Sequence, residues 1–229
     1  MSEPGEWLLD VREASRVFDV DGAELRAVDA ASLQVSAGEV VVINGASGSG
    51  KTTLMMMAAG MLRPTAGEIR LLGRDPYKMN GNDSAALRAG FLGVVLPMFH
   101  LLPYMDAAAN VALGYRGGSG RAKAIESIAA IGMAGRERQL PDRMSAGERR
   151  RLIVARALLH DPKLVLADEP TANLDEANSA EIAAMLKARA VGGAGVLLIT
   201  HESSRRFEAD RVLTMESGRL TPASASLAS

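Results

Sequence analysis

The stretch with the clearest chemical meaning lies at residues 45–52, where glycines, serines, a lysine and a threonine match a phosphate-binding loop. A β-branched run at 39–43 precedes it, and a helical pattern begins at Lys51. Glycines let the loop turn tightly, so that backbone N–H groups and the helix N-terminus surround an anion. Nucleotide contacts are expected from Gly45, Ala46, Ser47, Gly48, Ser49, Gly50, Lys51, Thr52 and Thr53.

Lys51 and Thr52 carry the specific chemistry of such a loop. The lysine ammonium reaches the β- and γ-phosphates of a nucleotide, and the threonine hydroxyl binds Mg²⁺. A glycine-rich turn without a ligand is the competing interpretation. The strand pattern before the loop and the helical pattern after it favour nucleotide binding, because that is the context in which the loop works.

Two consecutive carboxylates, Asp168 and Glu169, follow an apolar run at 163–167 that is typical of a buried strand. Ligands of open α/β sheets bind at the carboxyl ends of the strands. We therefore expect Asp168 to hold Mg²⁺ through water and Glu169 to polarise an attacking water. By itself the pair fits a solvated turn before Pro170 equally well, and the phosphate-binding loop favours the catalytic interpretation.

Residues 144–148 (MSAGE) open a helical pattern at 149–160. Ser145 is a natural N-cap for that helix, and Glu148, three residues later, completes a capping box. Helix capping therefore explains both residue types, and this pattern alone assigns no chemistry to them.

Strand and helix patterns alternate around these motifs, which predicts a parallel α/β core. Residues 7–44 have the pattern of short strands, residues 51–62 that of a helix, and residues 82–84 (Asn-Asp-Ser) offer a helix cap. We expect one domain over residues 1–229, with its core at about 1–80 and 160–220. A helical subdomain is expected at about 81–159, and a frayed polar tail at 221–229.

Composition excludes several classes of protein. A net charge of −1 argues against a coat for nucleic acid or anionic lipid, and no nucleic-acid partner is expected. The absence of cysteine excludes disulfides, zinc–cysteine sites and cysteine nucleophiles. No apolar run approaches a membrane span, and the acidic start of the chain does not resemble a signal peptide. We expect a cytoplasmic chain, or one held at a membrane by a partner.

Residues 144–175, together with the phosphate-binding loop, closely resemble the ATP-binding cassette (ABC) ATPases, and the resemblance extends over nearly the whole chain. It implies a P-loop NTPase core with an N-terminal antiparallel β subdomain and an inserted α-helical subdomain. It also implies ATP and Mg²⁺ as ligands, a second copy as partner in an ATP sandwich, and integral membrane permease subunits. The chain would then lie on the cytoplasmic face of the inner membrane.

The resemblance assigns roles to further residues. Ser145 and Gly147 of one subunit would contact the γ-phosphate bound to another, as a helix N-terminus and a hydroxyl can. Asp175 would lie in the loop that communicates between the two sites, and His201 would hold the γ-phosphate and the attacking water. Phe18 would stack on adenine. A surface histidine and a core phenylalanine are the competing interpretations of the last two residues.

Pro97 departs from the family pattern, which has a glutamine that contacts Mg²⁺ and the attacking water. Proline offers neither a side-chain oxygen nor an N–H group, so we expect slower or more tightly gated hydrolysis. The stretch 144–148 also departs, with Ala146 in place of glycine and Glu148 in place of glutamine. The added methyl group of Ala146 would crowd a close approach of the backbone.

Residues 99–111 resemble the branch that contains lipoprotein-releasing, macrolide-exporter and cell-division ATPases, which work with a permease. We expect the permease to dock near residues 97–104, with Met98, Phe99, Leu101 and Leu102 as candidate contacts. A partly buried loop is the competing interpretation of these apolar residues. One alternative is a regulatory subunit that binds ATP but hardly hydrolyses it, which Pro97 favours. Another is a non-transport ABC ATPase, which the lack of a long coiled coil and of a second cassette opposes. A P-loop kinase would not need residues 144–148.

Overall fold

Two β-sheets and a layer of helices make up the parts of the chain that the computed structural model describes, residues 7–97, 100–115, 117–201 and 204–223. The strands there are β1 (Trp7–Val20), β2 (Ala23–Ser36), β3 (Val40–Asn44), β4 (Ala66–Leu71), β5 (Leu92–Val95), β6 (Leu164–Asp168), β7 (Gly195–Ile199), β8 (Arg211–Glu216) and β9 (Arg219–Pro222). The α-helices are α1 (Lys51–Ala58), α2 (Gly81–Phe91), α3 (Ala107–Ala112), α4 (Gly120–Ala130), α5 (Ala146–Leu158) and α6 (Glu176–Val191).

The larger sheet has the strand order β5-β6-β7-β3-β8-β9, and every neighbouring pair except β8–β9 is parallel. Both of its faces are covered, which is why its central strands are continuously apolar. Along β3, Val40 and Val42 face the cluster built with α3 to α6, whereas Val41 and Ile43 face the cluster that includes α1. The predicted parallel core is therefore confirmed.

The smaller sheet has the order β2-β1-β4 and is antiparallel throughout. Its inward side chains, such as Leu9 and Val35, share a core cluster with α1 and one face of the larger sheet. This sheet is the antiparallel subdomain that the family resemblance implies. Its packing places the hairpin between β1 and β2 beside the phosphate-binding loop, because the Ala27 carbonyl lies next to Gly50.

The helical subdomain begins later than the sequence pattern suggests. β5 falls inside the expected interval 81–159 but pairs with β6 in the larger sheet. Leu87 of α2 also packs in the core cluster of the sheet. We therefore place the start of the helical insert after β5. From there α3 and α4 pack on α5, which leads back into the core.

Three local predictions need correction. The N-cap of α2 is Asn80 rather than a residue of 82–84, because the Asn80 side chain accepts from the Asp83 N–H group at 2.9 Å. α1 stops at Ala58 instead of residue 62, and the Tyr77 hydroxyl bonds the Met57 carbonyl at 2.6 Å near its end. Thr221 and Pro222, assigned to a frayed tail, form the end of β9 and pair with β8. Residues 224–229 of that tail lie outside the described ranges.

Within the described ranges no helix combines the length and the apolarity that crossing a bilayer requires.

Asn110 holds the loop that enters the helical insert, and its removal is expected to destabilise the fold. The side chain is fully buried, accepts from the Leu102 N–H group at 2.7 Å and donates to the Leu102 and Met105 carbonyls at 3.0 and 2.8 Å. Asn110→Ala leaves these groups unpaired and should lower the free energy of unfolding by about 3 kcal/mol. Urea unfolding measures it, with the exposed Asn82→Ala as control. An Asn110→Ala protein as stable as the control would contradict this role.

Candidate functional site

The carboxyl ends of β3, β6 and β7 meet at one edge of the larger sheet, where a cavity of about 660 Å³ opens. The sequence-predicted residues that line it are Phe18, Gly45, Ala46, Ser47, Gly48, Gly50, Lys51, Thr52, Thr53, Pro97, Asp168, Glu169 and His201. Ser49 does not line the cavity. It is buried, with its hydroxyl oxygen 3.4 Å from the Lys51 Nζ atom.

The phosphate-binding loop is held by close backbone contacts that only glycine permits. A Cβ atom on Gly50, whose φ is +103°, would lie 2.0 Å from the Ala27 carbonyl oxygen. A Cβ atom on Gly45 would lie 2.3 Å from the Met215 carbonyl oxygen. The loop is thus pressed between β2 and β8, in a conformation that L-residues rarely adopt. Its glycines are explained by these contacts as well as by the turn itself.

Lys51 is almost fully buried at the start of α1. Its Nζ atom donates to the carbonyl oxygens of Gly45 at 2.8 Å and Ala46 at 2.7 Å. These bonds keep an ammonium group inside the loop, beside the N-terminus of α1. Positive charge and a helix N-terminus at one place make a site for anions such as phosphates.

Thr52 and Asp168 bring two hard oxygen ligands together across 116 residues of sequence, since the Thr52 hydroxyl donates to Asp168 Oδ2 at 2.6 Å. Burial raises the pKa of the Asp168 carboxyl, and the neighbouring Glu169 adds to the rise. A cation would favour the charged form of this carboxylate. Mg²⁺ takes oxygen ligands, often one carboxylate together with substrate phosphates, so the two side chains fit it.

Glu169 and His201 form a second pair, with Glu169 Oε1 at 2.8 Å from His201 Nδ1. Glu169 has a left-handed backbone with φ of +48°, and its N–H group donates to the Ile199 carbonyl at 2.8 Å. Among the described residues, the other carboxylate oxygen, Oε2, has no hydrogen-bond partner, and it is buried. A carboxylate that lines the cavity and is oriented by a histidine suits a general base.

Ser145, Gly147 and Asp175 do not line the cavity and instead lie at the N-termini of α5 and α6. Ser145 caps α5 and forms the predicted capping box with Glu148. Asp175 caps α6 and accepts from the Asn178 N–H group at 2.8 Å. A Cβ atom on Gly147 would lie 2.3 Å from the Asn178 side chain, so Asn178 joins the ends of the two helices.

Phe18 is half-buried at the wall of the cavity and is not part of either core cluster. The Arg16 guanidinium lies 4.6 Å from the centre of its ring. Leu25 and Ala27 line the same wall and were not predicted. The signal for Leu25 is the hairpin, because β1–β2 pairing places Leu25 opposite Phe18.

Pro97 lines the cavity where the family glutamine is expected. Of the four proposed permease contacts, Met98 and Phe99 lie outside the described residues. The side chain of Leu101 is buried in the core cluster of the helical insert, which fits a partly buried loop and excludes Leu101 as an exposed contact. Leu102 is half-buried, and the neighbouring Tyr104 is 76% exposed.

Comparison with known proteins agrees with this geometry. A family model described as ABC transporter matches residues 28–172. The macrolide export ATP-binding/permease protein MacB of Chlorobaculum tepidum is 38% identical over 92% of this chain and 33% of its own length. The lipoprotein-releasing system ATP-binding protein LolD of Chromohalobacter salexigens is 36% identical over 94% of both chains. This chain therefore spans about a third of the first relative and nearly all of the second.

Solved structures give the same answer for the fold. A dimeric post-hydrolysis state of the ATP-binding cassette MJ0796 bound to ADP and Pi superposes with a TM-score of 0.86 at 25% identity, over 93% of this chain and 98% of that one. A second dimeric structure of MJ0796, a bacterial ABC transporter cassette, also has a TM-score of 0.86, at 26% identity and over 93% and 96% of the two chains.

Asp168 is expected to reduce the stability of the nucleotide-free fold at neutral pH. Because burial raises its pKa, the carboxyl costs stability as the pH rises from the ordinary aspartate range through its own raised value. Asp168→Asn, which keeps an oxygen for Thr52, should therefore raise the urea midpoint at pH 7, and the gain should vanish in acid.

Asp106 is a control for which the opposite change in the urea midpoint is expected. Its carboxylate pairs with Arg121 at 2.8 Å, and this contact lowers its pKa. Asp106→Asn should therefore lower the urea midpoint at pH 7, and its effect should also vanish in acid. If Asp168→Asn lowers the urea midpoint as Asp106→Asn does, or leaves it unchanged, the Asp168 carboxylate carries no burial cost.

Proposed function

Because this chain belongs to the ABC transporter family, we propose that it is an ATP-hydrolysing subunit that drives a separate membrane permease. The observation that carries the proposal is the meeting, in one cavity, of a phosphate-binding loop, the Thr52–Asp168 pair and the Glu169–His201 pair. Each of these parts has one role in water attack on a γ-phosphate.

The loop residues 45–53 bind the phosphates through backbone N–H groups, and Lys51 turns its ammonium from the loop carbonyls towards the β- and γ-phosphates. Thr52 and Asp168 hold Mg²⁺, which when bound neutralises charge on the phosphates. Phe18, with the apolar Leu25 and Ala27 beside it, supplies the wall for the adenine ring.

Glu169, whose carboxylate lines the cavity, accepts the proton of the attacking water. His201 holds Glu169 Oε1, which orients the carboxylate, and its exposed ring reaches towards the γ-phosphate and the water. Positioning and charge stabilisation are the main contributions that a protein makes to phosphoryl transfer.

A second copy of the chain completes the site in this proposal. Ser145, Gly147 and Asp175 are conspicuously outside the cavity, although the N-terminus of α5 and the Ser145 hydroxyl suit contact with a phosphate. The N-terminus of α5 would therefore meet a nucleotide held by a second copy. The dimeric state of the MJ0796 cassette supports this arrangement.

The permease is inferred from the relatives. LolD is named as the ATP-binding protein of a lipoprotein-releasing system, and MacB carries ATP-binding and permease parts in one protein. We propose that this chain docks on permease subunits through the loop that follows Pro97, with Leu102 and the exposed Tyr104 in contact. The chain would lie on the cytoplasmic face of the inner membrane, and nucleic acid is no part of its function.

Replacing the general base should stop turnover without preventing binding. Glu169→Gln should lower kcat for ATP at least about 100-fold and keep ATP affinity. Phosphate release and ATP binding measure the two effects, with EDTA added to test the need for Mg²⁺. Glu126 is an exposed residue of α4, so Glu126→Gln is the matched control. Wild-type turnover by Glu169→Gln would refute the assigned base.

Pro97 supports a second candidate, a low-turnover regulatory subunit, because it lines the cavity without offering a hydrogen-bonding side chain. Pro97→Gln should raise basal ATP hydrolysis several-fold if the missing amide limits the rate. Pro103→Gln, an exposed proline in the same segment that does not line the cavity, is the control. An unchanged or lower rate for Pro97→Gln would show that this position does not limit hydrolysis.

A further inference from the structure

Three consecutive arginines near the start of α5 fasten this helix to three different segments. Arg149 donates to the Met144 carbonyl in the segment before the helix. Arg151 donates to Asn178 of α6 at 2.7 Å. Arg150, between them, points to neither segment and reaches the loop that follows β6. Successive residues of a helix point about 100° apart, which explains the three directions.

Arg150 is half-buried and bonds the backbone on the C-terminal side of the general base. Its Nε atom donates to the Pro170 carbonyl at 2.9 Å, and its Nη2 atom donates to the Glu169 carbonyl. Burial lowers the pKa of the guanidinium, whereas the carboxylates of Asp168 and Glu169 raise it. An arginine stays protonated under such influences, so it brings a permanent positive charge and a rigid pair of donors to this loop.

Arg150 bonds the carbonyl of Glu169, a residue whose backbone conformation needs support from its neighbours. Glu169 adopts φ of +48°, a left-handed conformation that is unfavourable for a residue other than glycine. On one side its N–H group is fixed by the Ile199 carbonyl at 2.8 Å. On the other side its carbonyl accepts, from the described part of the chain, a long bond from the Ala172 N–H group at 3.3 Å besides the bond from Arg150. The direction of the Glu169 side chain follows from the orientation of this backbone.

We propose that Arg150 is a positioning residue for ATP hydrolysis: by holding the carbonyls of Glu169 and Pro170, it fixes the backbone that aims the Glu169 carboxylate. This inference rests on the proposed function. It makes the general base of one site depend on α5, the helix whose first turn is capped by Ser145.

The contact between Arg150 and Glu169 also connects the general base to α5, the helix that Ser145 caps. Ser145 and Arg150 are separated by about 7.5 Å along the axis of one rigid helix. A shift of α5 when Ser145 meets the nucleotide of a second copy is therefore carried to Glu169 by Arg150. Pro97, on the other connection between core and helical insert, has no donor with which to transmit such a shift.

The test compares kcat and KM of Arg150→Ala with those of Arg156→Ala. Arg156 lies on the same helix, is also half-buried and donates to the His100 carbonyl at 3.1 Å, away from Glu169. Arg150→Ala should lower kcat at least about tenfold, since small misplacements of catalytic groups have such effects, with KM changed less than about twofold. Arg156→Ala should keep the wild-type kcat.

Two conservative variants separate positioning from folding. Arg150→Lys and Arg150→Gln both carry N–H donors that can bond a carbonyl, so both should recover most of the kcat lost in Arg150→Ala. A kcat for Arg150→Ala equal to that of Arg156→Ala would overturn the proposal. Equal losses in the alanine, lysine and glutamine variants would also overturn it.

A measurement without turnover distinguishes this inference from the proposed function. The chain has three histidines, so the His201 ring resonance is readily assigned by NMR. Because this ring lies 2.8 Å from Glu169 Oε1, Arg150→Ala should shift its resonance, and Arg156→Ala should not. An unmoved His201 resonance refutes positioning by Arg150. Absence of ATP hydrolysis by the wild type, with the shift present, refutes only the proposed function.

Discussion

Parallel pairing of β7 with both β3 and β6 is the constraint on which the site depends. It places Ile43, Asp168 and Ile199 in register at the carboxyl edge, so the segments that follow these strands emerge side by side. The hydrogen bond between Thr52 and Asp168 then joins the segment that follows β3 to the end of β6. Without this strand order, residues more than a hundred positions apart would have no shared cavity.

The phosphate-binding loop needs both sheets, not only the strand that leads into it. Gly50 lies against the Ala27 carbonyl of β2, and Gly45 lies against the Met215 carbonyl of β8. The Ser49 carbonyl accepts from the Gly218 N–H group, which belongs to the turn between β8 and β9. The small antiparallel sheet and the last hairpin therefore fix the shape of the loop from two sides. These close backbone contacts explain why glycine is required at positions 45 and 50.

Patterns with a strong local cause could be predicted from the sequence. The buried strands β3, β6 and β7 are continuous apolar runs, and the capping box of Ser145 depends only on neighbours three residues apart. Features that depend on distant partners could not be predicted. β9 is polar and is a strand only because β8 lies beside it. Leu101 looks like a surface contact in sequence, and its burial depends on how α3 and α5 pack.

The same division applies to the candidate site. Glycines, Lys51, Asp168 and Glu169 follow from spacing, because the loop and the strand end are local motifs. Leu25 required the hairpin register, and Arg150 gave no signal at all, since an arginine at a half-buried helical position is commonly a solvated charge. Arg150 bonds backbone carbonyls, which every residue has, so no residue type in the sequence marks its partners.

Within one copy of the chain the candidate functional residues lie in two separate groups, and this separation bears on how copies assemble. Lys51, Asp168, Glu169 and His201 line the cavity, whereas Gly147 and Asp175 lie beside Asn178 elsewhere, and Ser145 caps the same helix as Gly147. Arg150 and Arg151 run from the same helix to both groups. On the proposed function, this separation fits a Ser145 that meets a phosphate bound by another copy.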